Sequence, residues 1–224
     1  MISVAIDGPA GAGKSTLSRK VAKELGFIYV DTGALYRAVG LKFSLCGADT
    51  ELNCDIEKIL EDTSVNIKFV DGEQRVFLDG KDVSDDIRTP VASMMASAVS
   101  AKPAVRTFLL DMQRKLAENN NCLMDGRDIG TVVLPNATVK IYLTASAEDR
   151  AKRRYDELIL KGQDVKFDDV YKDMVQRDYN DMNRATAPLK QADDAIVADT
   201  TGYEFEDSFK LLLDIIKKGI ENNK

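Results

Sequence analysis

Eight consecutive residues constrain this chain more than any other feature: Gly8-Pro9-Ala10-Gly11-Ala12-Gly13-Lys14-Ser15. They fit G-x-x-x-x-G-K-[ST], a loop whose backbone N–H groups must point inward around phosphate oxygens. Glycine tolerates that path and allows close approach of the backbone to a ligand. The flanks supply the required context. Ile2 to Asp7 is apolar and β-branched and reads as a buried strand. After the loop, Leu17, Val21, Ala22 and Leu25 recur at helical spacing, with Gly26 as a stop. The helix then sets its partially positive N-terminus against the phosphates. In this reading Lys14 reaches the β- and γ-phosphates of ATP, the Ser15 hydroxyl ligates Mg²⁺, and Thr16 adds a hydroxyl near the α-phosphate.

Further apolar strands are expected at Phe27 to Val30, Cys122 to Asp125, Val139 to Leu143 and Ala195 to Val197, with helical stretches between most of them. Alternation of this kind predicts an α/β fold: a P-loop NTPase with a five-stranded parallel sheet in a three-layer α/β/α sandwich. Two segments break the pattern. From about Val65 to Val83, strand-like runs are joined by Asp71-Gly72 and Asp79-Gly80, which predicts a small antiparallel insertion. From about Ala151 to Leu189 the chain is helical, charged and rich in arginine, following a helix-start box at Ser146-Ala-Glu-Asp149. In the last helix, Phe205, Phe209, Leu212, Ile216 and Ile220 form a stripe read as core.

A length of 224 residues fits one large domain, or one core with small inserted lobes. The net charge of −6 argues against non-specific wrapping of nucleic acid or an anionic membrane. No apolar run approaches the length of a membrane span, and the N-terminus lacks the basic start and apolar stretch of a signal peptide. Cys46, Cys54 and Cys122 lack metal-ligand spacing, and reduced thiols in a cytoplasm are expected. The chain has no histidine. Ser-His-Asp and Cys-His catalysis and His-ligated zinc are thereby excluded, leaving carboxylates, cations, backbone amides and a bound metal.

Three clusters bear on what receives the phosphoryl group. The first is Asp31-Thr-Gly-Ala-Leu-Tyr36-Arg37, just past the second strand, at the end where open α/β sheets bind ligands. Arg37 can clamp a phosphate bidentately; Asp31 either supports magnesium through water or caps the next turn. The second is Asp125-Gly-Arg127-Asp128-Ile-Gly130, where Asp125 ends an apolar strand and can meet the Mg²⁺ water shell. The third is Arg177, Asp181 and Arg184, whose i, i+4, i+7 spacing predicts one helix face that can close over polyphosphate, with Arg150, Arg153 and Arg154 as a second group. Taken singly, each cluster also has a plain reading: a turn, a polar loop, or a solvated helix with internal salt bridges. Together they describe cations around two phosphate sites, suited to phosphoryl transfer under a mobile arginine-bearing lid.

Five strings extend this into a resemblance: Ile6-Asp-Gly-Pro-Ala-Gly-Ala-Gly-Lys14, Asp31 to Arg37, Asp86-Ile-Arg-Thr89, Asp125 to Val133, and Asn183-Arg-Ala-Thr-Ala-Pro-Leu189. In this order and over nearly the whole chain they resemble the bacterial cytidylate kinases of the nucleoside monophosphate kinase superfamily. The resemblance implies ATP and Mg²⁺ as cofactors, CMP and dCMP as acceptors, and a monomer. It divides the chain into a core (1–36, 101–150, 190–224), a monophosphate-binding lobe (37–100) carrying the small insertion, and a lid (151–189). It implies that Ser97, Arg106 and Asp128 face the cytosine and that Arg37, Arg127 and Arg184 hold the monophosphate. Arg177 and Asp181 would lie by the ribose, Tyr36 and Thr32 near the acceptor, and Arg153 on the adenine side.

Two other classes compete. One is a P-loop kinase with a different acceptor, which the trio Ser97, Arg106 and Asp128 argues against. The other is a nucleotide switch or RNA binder. Against it stand the acidic charge and the absence of both an Asn-Lys-x-Asp guanine-reading string and an aromatic RNA platform.

Overall fold

A computed structural model describes residues 1–223. Five parallel strands form the central sheet: β1 (Ser3–Asp7), β2 (Ile28–Asp31), β6 (Cys122–Gly126), β7 (Val139–Thr144) and β8 (Ile196–Asp199), in spatial order β2-β6-β1-β7-β8. The apolar runs that predict strands are the strands observed, within a residue or so at each end. In β1, β6 and β7 continuous hydrophobicity follows from burial on both faces, whereas β8, at the edge, leaves Ile196 and Val197 about half exposed. On one face, α1 (Lys14–Leu25) and α8 (Phe205–Asn222) pack through Leu17, Val21, Leu212 and Ile216. The other face is covered largely by α2 (Thr32–Leu45) and α5 (Pro103–Asn119).

A second core lies beside the sheet. There α2, α3 (Ile56–Glu61), α4 (Pro90–Ser100) and α5 enclose Phe43, Leu35, Val99 and Leu109. The small antiparallel sheet packs here too: β3 (Val65–Val70), β4 (Glu73–Leu78) and β5 (Lys81–Asp82). Both of its turns contain an Asp-Gly pair with positive φ at both residues (Asp71 52°, Gly72 78°; Asp79 49°, Gly80 81°), the backbone that tight hairpins need. Gln74 of β4 fastens the small sheet to the edge of the large one. Its Oε1 accepts from Asp31 N at 2.8 Å and its Nε2 donates to Asp31 O at 3.2 Å.

Helices α6 (Ala147–Leu160) and α7 (Phe167–Asn183) lean together over the carboxyl end of the sheet. Ser146 caps α6 by accepting from Asp149 N at 3.1 Å, as the start box predicts.

Two expectations need correction. Phe205 is 42% exposed and not core: it opens α8 at the rim of the cleft, with the Lys20 ammonium 4.9 Å from its ring centre. The rest of the stripe is buried or packed against the core. Arg184 does not share the α7 face with Arg177 and Asp181. The helix stops at Asn183, and Arg184 adopts extended backbone (φ −64°, ψ 141°). The chain then turns through Ala187 at φ 47° and returns Leu189 N to Asp181 O at 2.8 Å. Pro188, without an N–H, cannot continue a helix there. Among the described residues no helix is long and apolar enough to cross a membrane.

Candidate active site

A cleft of about 1180 Å³ runs across the carboxyl end of the sheet, between the glycine loop, α4, α6 and α7. Gly11 (φ 72°) and Gly13 (φ 83°) hold left-handed backbone, and at Gly8 an added Cβ would lie 2.0 Å from Leu143 O. The Gly8 and Gly13 requirements come from the loop's own path and from its packing against β7. Gly13 caps α1, so the amides that open that helix face the cleft. Lys14 Nζ donates to Gly8 O and Pro9 O, both at 2.7 Å. Burial, then Arg127, lowers the Lys14 ammonium well below its ordinary pKa, against the pull of Asp125 and Asp7.

Strand register brings the carboxylates to the loop. Asp125 of β6 pairs with Ile6 on one side and Asp31 on the other. Ser15 Oγ donates to Asp125 Oδ2 and Tyr29 OH to Oδ1, each at 2.9 Å. Burial, then the neighbouring Asp31, pushes the Asp125 carboxyl up to about 6. Among the described residues no group of three His, Cys, Asp or Glu side chains can hold a metal by itself. The Ser15–Asp125 pair nevertheless fits Mg²⁺, which binds through few protein oxygens and completes its octahedron with phosphate and water. Thr16 lines the cleft beside this pair. The Thr32 hydroxyl is buried and donates to Asp125 O at 2.7 Å, tying β2 to β6.

The predicted acceptor residues converge on the other half of the cleft. Asp31 resolves toward the cap: its Oδ1 accepts from Ala34 N at 2.9 Å, and its Oδ2 takes Arg37 Nη2 at 2.8 Å. Arg37 Nε has no protein partner. Arg127 Nε pairs with Asp181 at 2.8 Å. Asp128 is 4% exposed, and both its oxygens are engaged: one by Arg106, the other by Arg184 Nη2 at 3.2 Å. Arg184 reaches this position because it leaves α7, and its Nη1 also meets Ser100 Oγ at 3.4 Å. The Arg106 guanidinium lies 5.5 Å from the Tyr36 ring centre, and Ser97 lines the same end.

Arg177 completes the ring of cations from α7. Burial, then Arg127, holds its pKa below the ordinary value, and burial, outweighing the attraction of Asp128, does the same at Arg184. Like charges held together in a partly dry cleft favour a polyanion, because each added negative charge relieves both the repulsion and the lost solvation.

The second arginine group divides by role. Arg153 lines the cleft at the glycine-loop end and donates to Thr200 O at 2.8 Å. Arg154 pairs with Glu157 at 2.8 Å, one turn along α6. Arg150 is buried and braces the loop from behind: it donates to Ala10 O at 2.8 Å and to Asp178 at 2.6 Å, while Asp178 accepts from Ala10 N at 3.2 Å. Sequence reasoning missed Asp178 and the brace, and it missed Asp7 and Gln74. Only a helix face shared by Asp178 and Asp181-side residues hints at Asp178 in the sequence; Gln74 carries no local signal.

A protein-family model described as cytidylate kinase matches residues 4–218. The chain is 51% identical to a cytidylate kinase of Caldicellulosiruptor bescii, covering 99% of this chain and 98% of that one. It is 48% identical to a cytidylate kinase of Carboxydothermus hydrogenoformans, covering 95% and 96%. Among solved structures it resembles an uncharacterized protein from Eubacterium ventriosum, with a TM-score of 0.51 at 13% identity and 99% of each chain covered, a likeness of fold alone.

Proposed function

The chain belongs to the cytidylate kinase family, enzymes that phosphorylate CMP to CDP with ATP, and we propose that it also accepts dCMP, uses UMP weakly, and transfers the phosphoryl group directly in line. The observation that carries the base preference is Asp128, buried between Arg106 and Arg184 at the acceptor end of the cleft. A carboxylate accepts from the cytosine N4 amino group, and Arg106 with Ser97 meets N3 and O2. Uracil turns a carbonyl toward the same carboxylate, leaving two acceptors opposed.

The acceptor phosphate is already anionic, so the reaction needs no general base, in keeping with a chain that has no histidine. Arg37, Arg127 and Arg184 orient that phosphate. Lys14 and the free loop amides of residues 11–16 hold the donor phosphates and stabilise charge as it moves toward the bridging oxygen. Mg²⁺, held by Ser15 and Asp125, supplies charge neutralisation at the donor phosphates when bound. Arg177 and Asp181 position the ribose, and Tyr36 and Thr32 shape the floor. Arg153 borders the adenine. Residues 151–189 act as a lid over residues 1–36, 101–150 and 190–224, with 37–100 as the acceptor lobe; closure excludes water and strengthens each charge contact. The protein works as a monomer on small nucleotides.

The test is ADP release with Mg²⁺ and ATP against CMP, dCMP, UMP, AMP, GMP and dTMP. High turnover with CMP and dCMP and low turnover with UMP is expected. Equal use of CMP and UMP would overturn the Asp128 assignment, and turnover with none would overturn the acceptor class.

A further inference from the structure

The last residue of β1, Asp7, is buried and outside every role assigned above. It lies one residue before the phosphate loop, and its carboxylate reaches across the sheet end. Oδ1 accepts from Ile129 N and Oδ2 from Gly130 N, both at 2.7 Å. These amides open a single π-helical turn, Ile129–Val133, for which Asp128 is the N-cap residue. The Asp128 carbonyl accepts from Val132 N at 2.9 Å and Val133 N at 3.2 Å.

An aspartate at an N-cap ordinarily turns its own side chain back onto the first free amides of its helix. Asp128 makes no such bond. Its carboxylate points to Arg106 and Arg184 instead. The first two free amides of the turn, Ile129 and Gly130, are satisfied by Asp7, more than a hundred residues away in sequence. We propose that Asp7 is a positioning residue for base selection: by capping the 129–133 turn from another strand, it releases the Asp128 carboxylate to face the acceptor base. The consequence for bases rests on the reading of Asp128 above; the capping does not.

The alternative is that Asp7 merely fills a polar hole in the core, and Asp7→Asn separates the two. The amide offers one acceptor oxygen, so one turn amide is left facing an NH₂ group, and Asp128 becomes the nearest carboxylate able to take it. The experiment measures kcat/KM for CMP and UMP in wild type, Asp7→Asn, Asp128→Asn and the double variant, together with amide exchange at Ile129 and Gly130 by NMR. In Asp7→Asn the CMP-to-UMP ratio is expected to fall about tenfold or more, through a higher KM for CMP with KM for ATP little changed. In the Asp128→Asn background Asp7→Asn should produce no further fall, because the group it positions is gone. Exchange at both amides should quicken. An unchanged ratio in Asp7→Asn, or a second fall of equal size in the double variant, overturns the proposal. Unchanged exchange overturns the capping itself, a result readable even if the wild type fails to use CMP. If Asp7→Asn does not fold, Gly130→Ala carries the same test: its Cβ would lie 3.3 Å from Asp7 Oδ2 and 3.2 Å from Lys140 Cδ, forcing the contact open by a few tenths of an ångström.

Discussion

Asp128→Asn separates what this residue does for folding from what it does for the substrate. In the folded chain the carboxylate is 4% exposed and holds two arginines, Arg106 and Arg184. Removing its charge leaves two guanidinium groups facing an amide, and breaking a buried pair of this kind costs about 3–5 kcal/mol. For a chain of this length that corresponds to a melting point lower by roughly 6–20 °C, taking 2–4 °C per kcal/mol. The effect on selection is different in kind. On the proposed reading the carboxylate accepts from the N4 amino group of CMP and opposes O4 of UMP, whereas the amide can present either its oxygen or its NH₂. One unmatched buried group is worth about 1–3 kcal/mol, so the CMP-to-UMP ratio of kcat/KM should fall roughly five- to 150-fold at 1.36 kcal/mol per tenfold. Most of that change should come from poorer use of CMP. The assay is coupled ADP release with each acceptor at saturating ATP, run well below the melting point of the variant. A variant that stays folded and keeps the wild-type ratio would refute the reasoning, whatever happened to its stability.

Three further outcomes are expected. Lys14→Ala should lower kcat about 10²–10³-fold, the loss seen when one preorganised donor is removed, and near-normal turnover would contradict its role at the phosphates. Asp31→Ala removes the α2 cap and the Arg37 anchor together. It should cost ~1 kcal/mol of stability by thermal melting and raise KM for the acceptor more than KM for ATP. Asp125→Asn should trade activity for stability. Burial, then Asp31, raises this carboxyl from 3.8 to about 6, so its contribution to stability is fully present below pH 3.8 and is lost as pH rises through about 6. The variant should therefore melt higher than wild type at pH 7–8, by roughly 1–3 kcal/mol at 1.36 kcal/mol per pKa unit. The two should converge near pH 4, and transfer should be severely impaired throughout; a variant less stable at pH 8 than at pH 4, relative to wild type, would reverse the sign.

Much of this protein is written in short stretches of its chain. Gly8 to Ser15 determines a phosphate loop because the left-handed path at Gly11 and Gly13 and the close approach at Gly8 depend on residues a few bonds apart. The apolar runs determine the strands, since burial on both faces demands continuous hydrophobicity, and the Asp-Gly pairs at 71–72 and 79–80 determine the small sheet's turns. Lys14, Arg37, Arg127 and Arg184, all from the motif strings, line the cleft, while Ser97, Arg106, Arg177 and Asp181 come from outside them.

Tertiary structure decided which side chain serves which. Arg184 fits a helical stripe by spacing, yet the chain leaves α7 before it, and that departure is what brings it to Asp128. Arg150 belongs by composition to the arginine cluster, but folding buries it behind the loop on Asp178. Phe205 has the right period for core and sits at the rim. Asp7 shows nothing locally but a strand end, and it finds its amides only because β1 and β6 pair in a particular register. Spacing along the chain reports the neighbours that backbone geometry enforces; partners far apart in the chain are set by strand order, register and how helices end and pack, which no local pattern encodes.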